Sequence, residues 1–195
     1  MNPINIIQST FVPLPIENVD TDQIIPARFL KSSEKEGFGN HLFNDWRYLP
    51  DGSPNPDFVL NKSMYSGEIL VAGKNFGCGS SREHAAWALA GEGFRAVVSS
   101  YFADIFQNNA LNNGLLPVQV TQPFLQEIFA QKSDSTLTIN LYDCWIQIDK
   151  TGSRCQFPIS SYKQECLLNG FSDIDYLISK ESEIEAYEKN ARATA

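Results

Sequence analysis

Between residues 69 and 120, apolar residues come in short unbroken runs: Ile69-Leu70-Val71-Ala72, then 94–99, then 115–120. Runs of this length, bounded by glycines, predict strands buried on both faces. The stretches between them predict helices over 81–90, stopped by Gly91 and Gly93, and over 101–113, closed by Gly114. The resulting β-α-β-α-β order implies parallel strands with right-handed crossovers. Ahead of this block, residues 4–12 predict a first strand, ended by Pro13 and Pro15. Residues 18–30 hold two acids, a threonine and an arginine around a short apolar pair. Such a segment reads as a turn or short strand placed by distant contacts. Residues 31–57 are polar and rich in Gly, Asn, Asp and Pro, with Phe38, Phe43, Trp46 and Tyr48 among them. They predict a long irregular excursion: a lid or interface, or a surface loop pinned by its own aromatics.

Beyond the block, 123–131 predicts a short helix. Short strands follow over 137–141, 145–148 and 154–157, separated by turn residues as in an antiparallel meander. Residues 160–169 and 174–189 predict C-terminal helices, the last mostly polar and prone to fray. The expected class is α/β. One domain over 1–195 would carry a mainly parallel central sheet, flanking helices and an additional antiparallel layer.

Composition narrows the function classes. With 195 residues, 43% hydrophobic and 19% charged, the chain can bury a substantial core. A net charge of −8 argues against nucleic-acid binding, which needs a basic face. No apolar run is long enough to span a bilayer, and the first residues lack a basic, then apolar, leader pattern. The expected location is cytoplasmic. The four cysteines (Cys78, Cys144, Cys155, Cys166) contain no close pair of the kind that ligates zinc or an iron–sulfur cluster, so reduced thiols are expected. Cys78, near a predicted helix start, is the candidate for reactivity.

The chemistry concentrates in Gly77-Cys78-Gly79-Ser80-Ser81-Arg82-Glu83-His84-Ala85-Ala86. Ser80-x-x-Glu83 fits a capping box, in which Ser80 is only a helix cap. Ser80 and His84 stand four residues apart, one turn along a helix face, but the G-x-S-x-G elbow of hydrolases is absent. Gly77-x-Gly79 is half a dinucleotide fingerprint with Arg82 in place of the third glycine, and Lys74 precedes the glycines, which excludes a Walker loop. A helix start beside an arginine does suit an anionic carboxylate or phosphate. Asp20 and Asp22 lack further nearby metal ligands, so an orienting role fits them better than metal binding. The residues alone thus give an anion-binding turn with a serine at its tip, and no reaction.

Three strings go further. Gly79-Ser80-Ser81-Arg82-Glu83-His84-Ala85, Thr21-Asp22 followed by Ile24, and Asn112-x-Gly114-Leu115-Leu116-Pro117 together resemble the swivel domain of the aconitase superfamily. Within it, residues 18–26, the string 39–47 and the short stand-alone chain resemble the small-subunit family of the 3-isopropylmalate dehydratases. The resemblance implies a swivelling β/β/α fold and a hydro-lyase that moves a hydroxyl between adjacent carbons of a diacid, here 2- and 3-isopropylmalate in leucine biosynthesis. Homoaconitate, citraconate or a dimethylmalate are the alternative substrates, and a non-catalytic anion-binding module is the alternative class. It implies Ser80 as the base, acting as an alkoxide, with Asp22 organising the site. It implies Ser81, Arg82 and Thr21 as substrate contacts. Arg28 would meet a second carboxylate, or Phe29 or Leu30 the alkyl end. His84 becomes structural support. No cofactor is expected in this chain: the [4Fe–4S] cluster would belong to a large-subunit partner, in a heterodimer or heterotetramer, with the 31–57 excursion as the candidate contact surface. A helix N-terminus, worth about half a positive charge, together with Arg82 would make an alkoxide tolerable.

Overall fold

The computed structural model describes residues 1–30 and 37–193. Residues 31–36, the opening of the expected excursion, and 194–195 lie outside them. Seven strands form one sheet in the order β4-β3-β2-β1-β5-β6-β7. The strands are β1 (Ile6–Leu14), β2 (Ile69–Ala72), β3 (Ala96–Ser99), β4 (Leu116–Gln119), β5 (Thr136–Asn140), β6 (Trp145–Ile148) and β7 (Arg154–Gln156). β1 acts as a relay. Its residues 11–14 pair with β2 in parallel, and its residues 6–10 pair with β5 antiparallel. The parallel and antiparallel parts thus share one strand, and the expected mixed architecture follows.

β1 runs through Pro13 rather than ending there. Its last pair with β5 is Thr10↔Thr136, so along that edge no ladder bond is required of Pro13, which pairs only with Val71 of β2. Side chains alternate between two cores. Leu70, Ala72 and Val97 join one cluster, while Ile69, Val71, Ala96 and Val98 join the other.

Helix α1 (Thr21–Ile24) and helix α2 (Asn44–Arg47) occupy the long connection between β1 and β2. Helix α3 (Glu83–Glu92) and helix α4 (Asp104–Asn112) join the parallel strands, and α5 (Gln122–Phe129) follows β4. The expected helix over 81–90 is shifted by two residues. Gly91 lies inside α3, and only Gly93, with φ of 107°, ends it. The reason is a close approach. A Cβ on Gly39 would lie 2.4 Å from the Gly91 carbonyl carbon, so two backbones touch where both side chains are absent. A short 3-10 turn, Phe38–His41, sits there on α3. Arg47 adds a bidentate pair to Glu92, at 2.8 and 2.9 Å, with both side chains largely buried. Phe38, Leu42, Phe43 and Phe58 enter the core beside α3, so the described part of the excursion builds core as well as surface.

After β7 come α6 (Ser161–Asn169), α7 (Asp173–Ser179) and α8 (Glu181–Ala193). The single helix expected over 174–189 is two, broken at Lys180. Among the described residues no helix is long and apolar enough to cross a membrane.

Candidate active site

The site forms where two distant segments zip together. Asn18 N donates to Lys74 O (2.8 Å), Gly77 N to Val19 O (2.8 Å) and Thr21 N to Cys78 O (2.9 Å). The Thr21 hydroxyl, on a residue only 2% exposed, donates to Ser80 O at 2.9 Å. Asp20 starts α1 through a capping box: its carboxylate accepts from Gln23 N (2.8 Å) and its own N–H donates to Gln23 Oε1 (2.9 Å). The Asp20-x-x-Gln23 pattern was a readable helix signal within a segment expected as turn or strand. Gly77 and Gly79 have φ of 78° and 93°. These left-handed values suit glycine, and they steer the chain away from β2 before α3 begins.

That turn removes Ser80 from the helix. The residue at the cap of α3 is Arg82, with no side-chain capping bond, and the Ser80-x-x-Glu83 box does not form. Glu83 instead accepts from Trp87 Nε1 (3.3 Å) and Asn113 Nδ2 (2.9 Å), which ties the start of α3 to the end of α4. This brace escaped the sequence reading, although Glu83 and Gly114, the neighbour of Asn113, both belong to the recognised strings. Ser80 and Ser81 are exposed, and neither hydroxyl hydrogen-bonds another described residue. The Ser80–His84 pairing along one helix face also falls, because Ser80 precedes the helix. His84 packs against Phe38 and Trp87, with ring centroids 5.2 and 4.5 Å away.

Arg82 meets Asp22 end-on. Nη2 donates to Oδ2 at 2.7 Å and Nη1 pairs with Oδ1. A second Nη1 hydrogen reaches the Ile25 carbonyl at 3.4 Å. Of five guanidinium donors, the side-on pair on Nε and Nη2 is left without a described partner. It is a fork shaped for one carboxylate. The hydrogen bond from Arg82, with its charge, holds the Asp22 carboxyl below the usual range against partial desolvation. Asp22 also accepts from Ala27 N at 3.3 Å.

Other candidates lie apart from this group. Arg28 points to α2, donating to Asp45 Oδ2 (3.1 Å) and Asn44 Oδ1 (2.9 Å) and stacking on Phe29 at 4.6 Å. No hydrogen bond links it to Asp22, Ser80, Ser81 or Arg82. Phe29 in turn stacks on His41, centroids 4.0 Å apart. Cys78 departs from the expected reactive thiol. Burial, and then the Asp20 carboxylate, push it up, and its S–H donates to Asn18 O at 3.4 Å. Among the described residues no three His, Cys, Asp or Glu side chains gather as a metal site, and the four free cysteines do not converge. Among the described residues the donor set therefore does not fit an iron–sulfur cluster.

The aconitase C-terminal domain family model matches residues 1–123. The 3-isopropylmalate dehydratase small subunit of Cytophaga hutchinsonii is 61% identical over 95% of this chain and 94% of its own length. That of Christiangramia forsetii is 57% identical over 95% and 92%. That of Roseiflexus sp. is 50% identical over 99% and 96%. A crystal structure of 3-isopropylmalate dehydratase from Methanocaldococcus jannaschii superposes with a TM-score of 0.67 at 27% identity, over 94% of this chain and 99% of that one. With a free serine, an oriented arginine and relatives matched nearly end to end, the chain belongs to the 3-isopropylmalate dehydratase small-subunit family, built on the aconitase C-terminal domain.

Proposed function

We propose that this chain is one half of a hydro-lyase active site that interconverts 2- and 3-isopropylmalate by dehydration and rehydration, in leucine biosynthesis. The observation that carries the reading is the unengaged Ser80 hydroxyl two residues before Arg82, whose side-on fork has no described partner, in a chain whose relatives bear that enzyme's name. The Arg82 fork receives a substrate carboxylate, with the Ser81 hydroxyl beside it. Ser80, as its alkoxide, takes the proton from the carbon next to that carboxylate. The electron pair of that C–H bond forms the double bond, and hydroxide leaves from the neighbouring carbon. Rehydration reverses these steps with the hydroxyl on the other carbon. Thr21 is a positioning residue, fixing the backbone of Ser80, and Asp22 fixes the angle of Arg82.

Electrophilic help for the departing hydroxide is what a [4Fe–4S] cluster supplies when bound. We assign the cluster to a large-subunit partner. The isolated chain is expected to be inactive alone. Arg28 favours an alkyl-bearing substrate over a tricarboxylate such as homoaconitate. Its charge is engaged by Asp45, so among the described residues Arg28 is not an unpaired cation held ready for a further carboxylate.

The test is reconstitution with an iron–sulfur large subunit under anaerobic conditions, assayed with 2-isopropylmalate, homoaconitate and dimethylmalate. Isopropylmalate is expected to turn over fastest. Ser80→Ala is expected to lower kcat by about 10²–10⁴-fold with an unchanged melting temperature, the range typical of a lost acid–base group. Near-normal turnover of that variant would remove Ser80 from the chemistry.

A further inference from the structure

A cleft of about 700 Å³ opens beyond the carboxyl ends of the four parallel strands. Each strand contributes to it. Glu17 follows β1, Lys74 follows β2, Ser100 follows β3, and Gln119 and Gln122 flank the end of β4. Ligands of open α/β sheets gather at this end of the strands, in clefts of this size. Ser80, Asp22 and Arg82 do not line it.

The lining carries opposite charges that engage no described residue. It holds one carboxylate and one ammonium, and neither forms an ion pair with a described residue. The Ser100 hydroxyl oxygen is buried and has no hydrogen-bond partner among the described residues, a state that native structures keep rare. The side-chain amides of Gln119 and Gln122 likewise bond no described residue. Val120, buried, supplies an apolar wall.

The two charged residues are also matched in the chain. Each is followed by an asparagine in the left-handed region, Asn18 with φ of 56° and Asn75 with φ of 63°. The two asparagines are joined, Asn75 Nδ2 donating to Asn18 Oδ1 at 2.9 Å, and Asn18 N donates to Lys74 O at 2.8 Å. Non-glycine residues held there concentrate at ligand clamps and switches. From Asn18 the chain runs on to Asp22, and from Asn75 to Ser80.

We propose that this cleft binds a small zwitterion, a free aliphatic amino acid, with Lys74 on its carboxylate and Glu17 on its ammonium. A simple anion would face the Glu17 carboxylate, and a simple amine would face Lys74. A zwitterion satisfies both and lays its alkyl chain on Val120. Bound there, it ties together the roots of the two segments that build the active site. The site does not depend on the activity proposed above, and its test reads binding rather than turnover.

The full chain, isotope-labelled, is titrated by NMR with L-norvaline, and in parallel with valerate and with butylamine. The expected result is saturable shifts of the Ser100, Gln119 and Gln122 amides with L-norvaline, and at least tenfold weaker binding of the two singly charged probes. Lys74→Met and Glu17→Gln, at positions outside the core and with unchanged melting temperatures, are each expected to weaken L-norvaline at least tenfold. The absence of saturable shifts up to about 10 mM L-norvaline, an affinity too weak for a built site, would overturn the proposal. So would valerate binding as tightly as L-norvaline, which would mark a plain anion site, or binding indifferent to both substitutions.

Discussion

Arg82 can serve a substrate only if something else fixes its orientation, and Asp22 does so by taking the end of the guanidinium and leaving its side. Asp22→Asn keeps the shape but removes the charge that makes the pair strong. The expected outcome in the reconstituted enzyme is a KM for isopropylmalate raised about tenfold, equivalent to roughly 1.4 kcal/mol of lost binding, with a smaller fall in kcat. A change confined to kcat would instead place Asp22 in the chemical step. The same pair gives a modest pH signature. The folded-state pKa of Asp22 is lowered, so its stabilisation is complete above the ordinary carboxylate range and is lost as pH falls through the lowered value. The Asp22 side chain is 56% exposed, and an exposed pair of this kind contributes only about 0.5 kcal/mol. Urea unfolding of the wild type and of Asp22→Asn should therefore differ by that amount at pH 7 and converge as pH falls below the ordinary carboxylate range.

At the scale of elements, the closest test of the packing is α3. Gly91→Ala in a free helix would stabilise by about 1 kcal/mol through propensity alone. Here the new Cβ would stand 2.9 Å from Gly39 N, and backbone cannot swing aside as a side chain does. The substitution is expected to destabilise by about 1–3 kcal/mol, read as a lower denaturation midpoint. A gain in stability would mean that the Phe38–His41 turn does not rest on α3. This contact also explains what the sequence could not disclose. β2, β3, β4 and their helices were legible because buried strands and glycine stops are local signals. Gly91 was misread as one of those stops, because its partner Gly39 lies far away in the chain. The Ser80 cap, one of the alternatives the pattern allowed, fails for the same reason. The S-x-x-E pattern is local, whereas the bond from Thr21 and the left-handed Gly79 act across the fold. Residues 18–24 had only Asp20-x-x-Gln23 to announce a helix, and their position comes from the backbone zipper to residues 74–80. At the proposed site the sequence offered Ser80, Arg82 and Asp22 as candidates by residue identity, and did not disclose the pairing of Asp22 with Arg82.

For the molecule as a whole, β1 is the element through which the two halves of the sheet communicate, since the parallel strands reach the antiparallel ones only through it. Stability should therefore reside where β1 meets β5 and β2, and not in α7 and α8. Leu137, fully buried on β5, pairs with Ser9 of β1 and with Ile148 of β6. Leu137→Ala should lower stability by about 2–5 kcal/mol, the range for a buried leucine whose site collapses incompletely. Residues 181–189 of α8 are all exposed, and α7 buries none of its residues. Residues 181–189 hold little buried apolar surface, so removing the chain from residue 181 onwards should move the melting temperature by no more than about 2–4 °C. The two measurements must be made together, because their contrast carries the argument. A large loss on truncation and a small one at Leu137 would put the stabilising contacts in the tail, and β1 would then be only a connector between two weakly coupled halves.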